Sequence, residues 1–443
     1  MLKQKITEKL VTQIWQRRPK RSLFTDTGDH IDVVFPGRLC YGQGCDFQDA
    51  VIDFDGTIVS GKVEVHVKSS QWYAHGHHRD KRYNDIILHV VMWHDLGTPV
   101  ILHNGNTIPT VCLHHSCYPG ENFYNQNLLL NNDLYLCPSL EKYSKQDYLL
   151  RVICNAGQER FAGKVATLLQ SLSVKEVDQV LFYFVARALG YDKNSIPLGK
   201  LVELLPVKVL EQNKDRETEF NRALLLGTAG LLPSQRVNMK NKFTWDSETA
   251  TVERVWLSNK RANTMNYAEW YFWGVRPLNS PVRRVVALSY LISYYRRTGF
   301  LQGILTAVRK SYSNGPLNLA KAVIVPGVGY WANHFDFGKP SAKNAAIVGH
   351  SKALEITVNV LLPFAHAWAE LNGELRLQKQ ATDIYLNYLI APDNQITRFM
   401  KQQFLLAGNL KLTAPLQQGL IHIFNQYCRS RNCRNCIVSI ARD

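Results

Sequence analysis

The chain has 443 residues, 46% apolar and 20% charged, a composition of ordinary folded proteins that excludes wholesale disorder. Fifty-two Lys and Arg against 36 Asp and Glu leave a formal charge of +16, which favours a polyanionic partner. The longest apolar stretch, VNVLLPFAHAWA, is cut by Pro363 and falls short of the roughly 20 residues a membrane span needs; the N-terminus lacks a secretory core, so a cytoplasmic protein without a membrane partner is expected.

In chain order, Ile6, Leu10 and Ile14 predict a helix over 7–16 before the basic stop RRPKR. Short strands are expected at 31–35 and 50–54. Asp55-Gly56 then marks a two-residue hairpin turn into an antiparallel strand at 57–67, and a further apolar strand is expected at 86–93. Beyond about residue 150 the period becomes helical. Ser173 and Glu176 form a capping-box pattern ahead of the stripe Val177, Leu181, Phe184, Ala188, with Gly190 as the stop. Ser280-Pro281 opens a second helix ending at Arg296, Arg297 and Gly299, and a third is expected over 415–428. The fold class is therefore an α/β front domain over 1–150, a mixed sheet with flanking helices, followed by a mainly α-helical domain over 151–443 that ends in a cysteine cluster.

The stretch GKVEVHVKSSQWYAHGHH poses the chemical question. In a strand, alternate side chains share a face, so Val63, Val65 and Val67 pack a core while Glu64, His66 and Lys68 line the other side. Residues 64 and 66 lie about 6.6 Å apart along a strand, close enough to share one ion, whereas Lys68, about 13 Å from Glu64, is better placed for a phosphate. Carboxylates gathered from separate elements, Glu8 on the helix, Asp46 at a strand head and Glu64, repel unless a cation neutralises them, which points to a Mg2+-type site. Nine of the fourteen histidines fall between 66 and 115, and imidazole is a common metal ligand. His75 and His77 line the site or are loop residues bonded to backbone carbonyls; His89, on an apolar strand, is a core residue or a site residue.

The stretches CDFQDAVIDFDG, GKVEVHVKSSQWYAHGHHRDKRYNDIILHVVMWHD, GTAGLLP and YCRSRNCRNCIVSIARD resemble a bacterial family, the domain of unknown function 2851 (DUF2851), over essentially the whole chain. Its front part is similar to the PD-(D/E)XK nucleases, which have a restriction-endonuclease-like mixed sheet. The resemblance implies Asp46 as the motif aspartate, Glu64 as the (D/E), and Glu8 as the added helix glutamate. Cys45 stands where the motif proline is usual and His66 where lysine is usual. The implied activity is metal-dependent hydrolysis of DNA or RNA phosphodiesters: Asp46 and Glu64 hold Mg2+ or Mn2+, His66 orients or deprotonates the water, and Lys68 holds a flanking phosphate.

Cys428, Cys433 and Cys436 have spacing suited to Zn2+ or an Fe–S cluster, with Cys40, Cys45, Cys154 or His422 as the fourth ligand. Some nucleases of the superfamily close their ends with such an iron–sulfur staple. Cys112 and Cys117, enclosing His114 and His115, form a weaker pair. Expected nucleic-acid contacts are His75, His77, Arg79, Arg429, Arg431 and Arg434, with Arg276 and Arg283 as phosphate contacts and Trp72 and Tyr73 as a stacking surface or core. Two other readings stand beside the nuclease. One is a non-catalytic nucleic-acid-binding protein on the same fold; the other is a small-molecule metalloenzyme with His66, His75, His77 and His89 in a cupin-type barrel.

Overall fold

A computed structural model describes residues 6–17, 23–40, 44–114, 136–143, 146–213, 217–236, 246–273, 275–341, 344–388, 393–408 and 410–441. Most of RRPKR, together with His115 and Cys117, lies outside them. The chain forms two compact units, one of residues 1–156, 393–410 and 419–443, the other of 157–392 and 411–418.

In the first unit, α1 (Glu8–Gln16) starts at Thr7, whose side chain accepts the Leu10 N–H, and buries Leu10, Val11, Ile14 and Trp15. A mixed sheet follows: β1 (Leu23–Phe24), β2 (His30–Phe35), β3 (Arg38–Leu39), β4 (Phe47–Phe54), β5 (Thr57–Lys68), β6 (Ile86–Trp93) and β9 (Thr110–Cys112), in the order β1-β2-β4-β5-β6-β9 with β3 on β4; β7 (Val100–Ile101) and β8 (Thr107–Ile108) form a separate hairpin. Asp55 (φ 46°) and Gly56 (φ 92°) make the two-residue β4–β5 turn with the positive dihedrals it requires. Strands β2, β4 and β5 run antiparallel, whereas β5–β6 and β6–β9 are parallel. The sheet curls until its ends meet, as Thr25 bridges Val111 and the Asp26 N–H donates to Thr110 O at 2.8 Å.

The apolar side of β5 packs as its alternation predicts: Val63 and Val65 join Leu10, Ile14 and Trp15 of α1 in one core. On the opposite face the short helix α2 (Gln71–Ala74) and two 3-10 turns cover the sheet. They add a smaller core of Cys45, Trp72, Tyr83, Ile86, Val100, Leu102 and Ile108. Trp72 is core, fully buried with its indole N–H donating to Ile101 O at 3.0 Å.

The terminal segments, which lie beyond the boundary expected near 150, belong to this first unit. The reasons are specific contacts. Phe35 packs edge-on against Phe399 and Phe424, and the Arg431 guanidinium pairs with Asp32 and Asp53 on β2 and β4.

The second unit is helical around a large apolar core. The helix Val177–Leu189 starts without a side-chain cap, because the preceding helix α3 (Gln146–Leu172) runs on to Leu172 and Ser173 bonds back to Gln170 O instead. Helix Pro281–Tyr294 begins after Ser280 as expected. Arg283 within it is fully buried and donates to the carbonyls of Trp331, His334 and Ala345, so it is an interior tie and not a phosphate contact. Among the described residues no helix is long and apolar enough to cross a membrane.

Candidate functional site

The site is built by strand register. Phe47 pairs with Val63 across β4–β5, so Asp46 comes to lie beside Glu64. A bulge follows at Gln48 and Asp49; Asp49 adopts φ 56° and is held by Arg38. The two acids then clamp each other through the backbone. The Asp46 N–H donates to Glu64 Oε2 at 3.2 Å, and the Val65 N–H donates to Asp46 Oδ2 at 2.9 Å. Parallel pairing sets His89 of β6 opposite Glu64, on the face that also carries His66.

Three more imidazoles meet His66. Its Nδ1 lies 2.9 Å from His89 Nε2, and its Nε2 lies 3.1 Å from His75 Nδ1 and 3.3 Å from His77 Nε2. Glu64 Oε1 is 3.4 Å from His77 Nε2 and 3.9 Å from His66 Nε2. Gly76, at φ 75°, reverses the chain between His75 and His77 so that both rings turn inward, a conformation a side chain would strain. Tyr83 lies against His77 with ring centroids 4.0 Å apart, and Trp72 packs edge-on to it at 5.2 Å. Glu64, His66, His77 and His89 are buried, while His75 is exposed and forms the opening to solvent. Glu8 approaches from α1 and accepts from Gln71 Nε2 at 3.3 Å.

Burial dominates the electrostatics. It lifts the Glu64 carboxyl to about 9, with the neighbouring Asp46 charge adding to the rise. Asp46 is lifted to about 6, chiefly by burial, against the Val65 hydrogen bond and with a further rise from Glu8. Burial likewise holds His66 down at about 2, His77 at about 4 and His89 at about 3, their mutual proximity adding to it. Burial thus favours the neutral forms of Glu64, His66, His77 and His89. Of the polar row of β5, Glu64 and His66 are buried and Lys68 at its end is exposed.

The divalent ion expected from the sequence meets a mixed donor set. Around Glu64 Oε1 the converging atoms are imidazole nitrogens, which do not suit Mg2+, an ion that demands oxygen ligands in near-ideal octahedral geometry. They do suit the borderline ions of the first transition row.

A family model described as protein of unknown function (DUF2851) matches residues 8–395. The chain belongs to that family. Comparison with curated proteins and with solved structures finds no match. In this family member the matched segment contains all the clustered side chains, from Glu8 to His89.

Other expected residues stand apart from the cluster. Lys68 is exposed, with its amine 3.8 Å from Asp95 Oδ2, and Arg79 is exposed. Arg429 and Arg434 are exposed, but Arg431 is committed to Asp32 and Asp53. Of the terminal thiols, Cys433 is exposed, Cys436 buried and Cys428 between. Burial raises the Cys137 and Cys436 thiols, with Cys433 adding to the rise of both and Cys137 to that of Cys436. Sequence reasoning missed Cys137, 296 positions before Cys433; its tie is tertiary, with the Ser139 and Ser439 hydroxyls 2.7 Å apart. Cys40 and Cys45, considered as ligands for that cluster, pair with each other at 3.5 Å.

Proposed function

We propose that the protein is a metal-dependent phosphodiester hydrolase acting on nucleic acid. The observation that carries the reading is the meeting of Asp46 and Glu64, from adjacent strands, beside His66 and within reach of the Glu8 charge. The element order supports it too. A helix, an antiparallel meander and a parallel strand, reached here through one short helix and two 3-10 turns, follow one another in the order that the resemblance to a restriction-endonuclease-like core implies.

Asp46 is suited to accept a proton from water. Its carboxyl at about 6 is ionised at neutral pH yet basic enough to take a proton, which is where a general base works best. Glu64 and the imidazoles supply lone pairs for a divalent ion, which when bound would stabilise charge developing on phosphorus. His75, exposed at the opening, is the group a substrate phosphate meets first.

A polyanionic substrate is supported by the charge of +16. It is also supported by a cleft of about 1090 Å3 in the second unit, lined by Arg296, Arg297, Lys310 and Lys321 and, among the described residues, by no carboxylate.

The test is cleavage of single- and double-stranded DNA and RNA with added Mg2+, Mn2+, Co2+ or Zn2+, with Glu64→Gln and Asp46→Asn alongside. Cutting that falls by about 100-fold or more in both variants is the expected result. Absence of cutting under every ion, or cutting that survives Glu64→Gln, overturns it.

A further inference from the structure

Four ligand atoms gather between β5 and the turn after α2. His66 Nε2 is 3.1 Å from His75 Nδ1 and 3.3 Å from His77 Nε2, and Glu64 Oε1 is 3.4 Å from His77 Nε2 and 3.9 Å from His66 Nε2. The three nitrogens all lie within 4.8 Å of one another. Ligands bound about 2.1 Å from a metal sit about 3.0–3.4 Å apart when they subtend angles of 90–109°, so the 3.1, 3.3 and 3.4 Å spacings are those of neighbouring ligands on one ion, while 3.9 Å between Glu64 and His66 corresponds to a wider angle.

Hydrogen bonding alone does not account for the cluster. An imidazole nitrogen has a single in-plane direction, occupied by either a lone pair or an N–H, so it serves one partner at a time. His66 Nε2 has two imidazole nitrogens and a carboxylate oxygen before it, and at most one of those contacts is satisfied by a proton. A cation among them satisfies them all.

The surroundings resemble those of a ligated histidine in a second respect. The other nitrogen of His66 is engaged by His89 at 2.9 Å, an orienting contact at the position where metal-bound imidazoles ordinarily have a carboxylate, carbonyl or water. Glu64 is steadied likewise by the Asp46 N–H. Exposure of His75 leaves an entry path.

We propose that His66, His75, His77 and Glu64 form a binding site for one first-row transition ion, of the class of Mn2+, Fe2+, Co2+ or Zn2+, and not for Mg2+. The site shares Glu64 with the hydrolase reading and deepens it, but ion binding is measured separately from cleavage.

The test uses the full chain, stripped with chelator and titrated with Co2+. Expected are one equivalent of bound ion, visible d–d absorption of a low-symmetry nitrogen-oxygen site, and no displacement by a thousandfold excess of Mg2+. His75→Ala, at an exposed position that leaves the core intact, should weaken Co2+ binding by more than about 100-fold, the upper range for losing merely an orienting contact. His77→Ala should do the same with an unchanged circular dichroism spectrum. Cys433→Ser should bind as the parent does, which excludes the terminal cysteines as the ligands. Failure to bind Co2+ or Zn2+ stoichiometrically, or binding that persists in His75→Ala and His77→Ala, overturns the proposal. Tight imidazole-dependent binding without cleavage of any nucleic acid would uphold this site and sink the hydrolase; Mg2+-supported cleavage without such binding would do the reverse.

Discussion

His89 Nε2 lies 2.9 Å from His66 Nδ1, joining β5 to β6 beneath the cluster. His89 is fully buried and reaches neither Glu64 nor the solvent opening in any hydrogen bond of its own, so its part is to set the His66 ring. His89→Ala should lower Co2+ affinity by about 10–100-fold, the usual effect of removing an orienting partner. His89→Gln, which restores a polar partner, should recover much of it. Equal loss in both variants, with a lowered Tm, would instead mark His89 as packing alone.

Glu64 should lower the stability of metal-free protein as pH rises above neutrality. Glu64 holds its proton to about 9 in the fold and releases it near the ordinary 4.5 when unfolded, so between those values the folded state binds more protons. Stability falls with pH wherever that holds. Asp46, raised to about 6, acts in the same direction at lower pH, and the depressed His66, His77 and His89 act oppositely up to their ordinary value of 6.5. From about pH 7 to 9 Glu64 is the group of the cluster whose raised value still lowers stability, while the buried Lys164, held well below its ordinary value, acts oppositely. Thermal melts in chelator should therefore fall across that window in the parent relative to Glu64→Gln.

Arg431 should behave as a structural residue. It adopts φ 51° and its guanidinium joins Asp32 to the buried Asp53. Arg431→Ala leaves Asp53 without its cation and with the Gly56 N–H as its remaining hydrogen bond, and a loss of about 1–3 kcal/mol in denaturant unfolding is expected. Arg429→Ala and Arg434→Ala, both at exposed positions, should leave unfolding unchanged. A purely nucleic-acid-contacting Arg431 would give the opposite pattern, weaker binding at unaltered stability.

The cleft of the second unit gives a salt-dependence prediction. Arg296, Arg297, Lys310 and Lys321 line it and, among the described residues, no carboxylate does. If nucleic acid enters, reversing Arg297 and Lys310 to Glu should weaken binding of a fluorescent oligonucleotide. It should also reduce the slope of log K against log salt by about 0.7–0.9 for each lost phosphate contact. An unchanged slope would assign the binding elsewhere.

Much of the first unit was readable from local pattern. The i, i+4 stripe of α1, the Asp55-Gly56 turn and the alternation along β5 depend on neighbours within a few residues, and the structure returns each of them. That alternation alone placed Glu64 and His66 on a common face away from the valines. It did not disclose that the face is buried, because burial is decided by what folds over it: α2 and Trp72 cover it after a crossover whose path no periodicity encodes. The capping pattern at Ser173 failed for a related reason, since α3 continued through it.

The sequence by itself determined which side chains were available, a carboxylate at a strand head, another two residues before a histidine, and a dense run of imidazoles. Only the tertiary structure decided that four histidines and two acids share one volume. Register between β4 and β5 brought Asp46 to Glu64, parallel pairing brought His89 to His66, and the left-handed turn at Gly76 brought in His75 and His77. Each of those contacts spans 9 to 23 residues of sequence. Contacts of that span form when whole strands pair and pack, so they are properties of the sheet and not of any local motif.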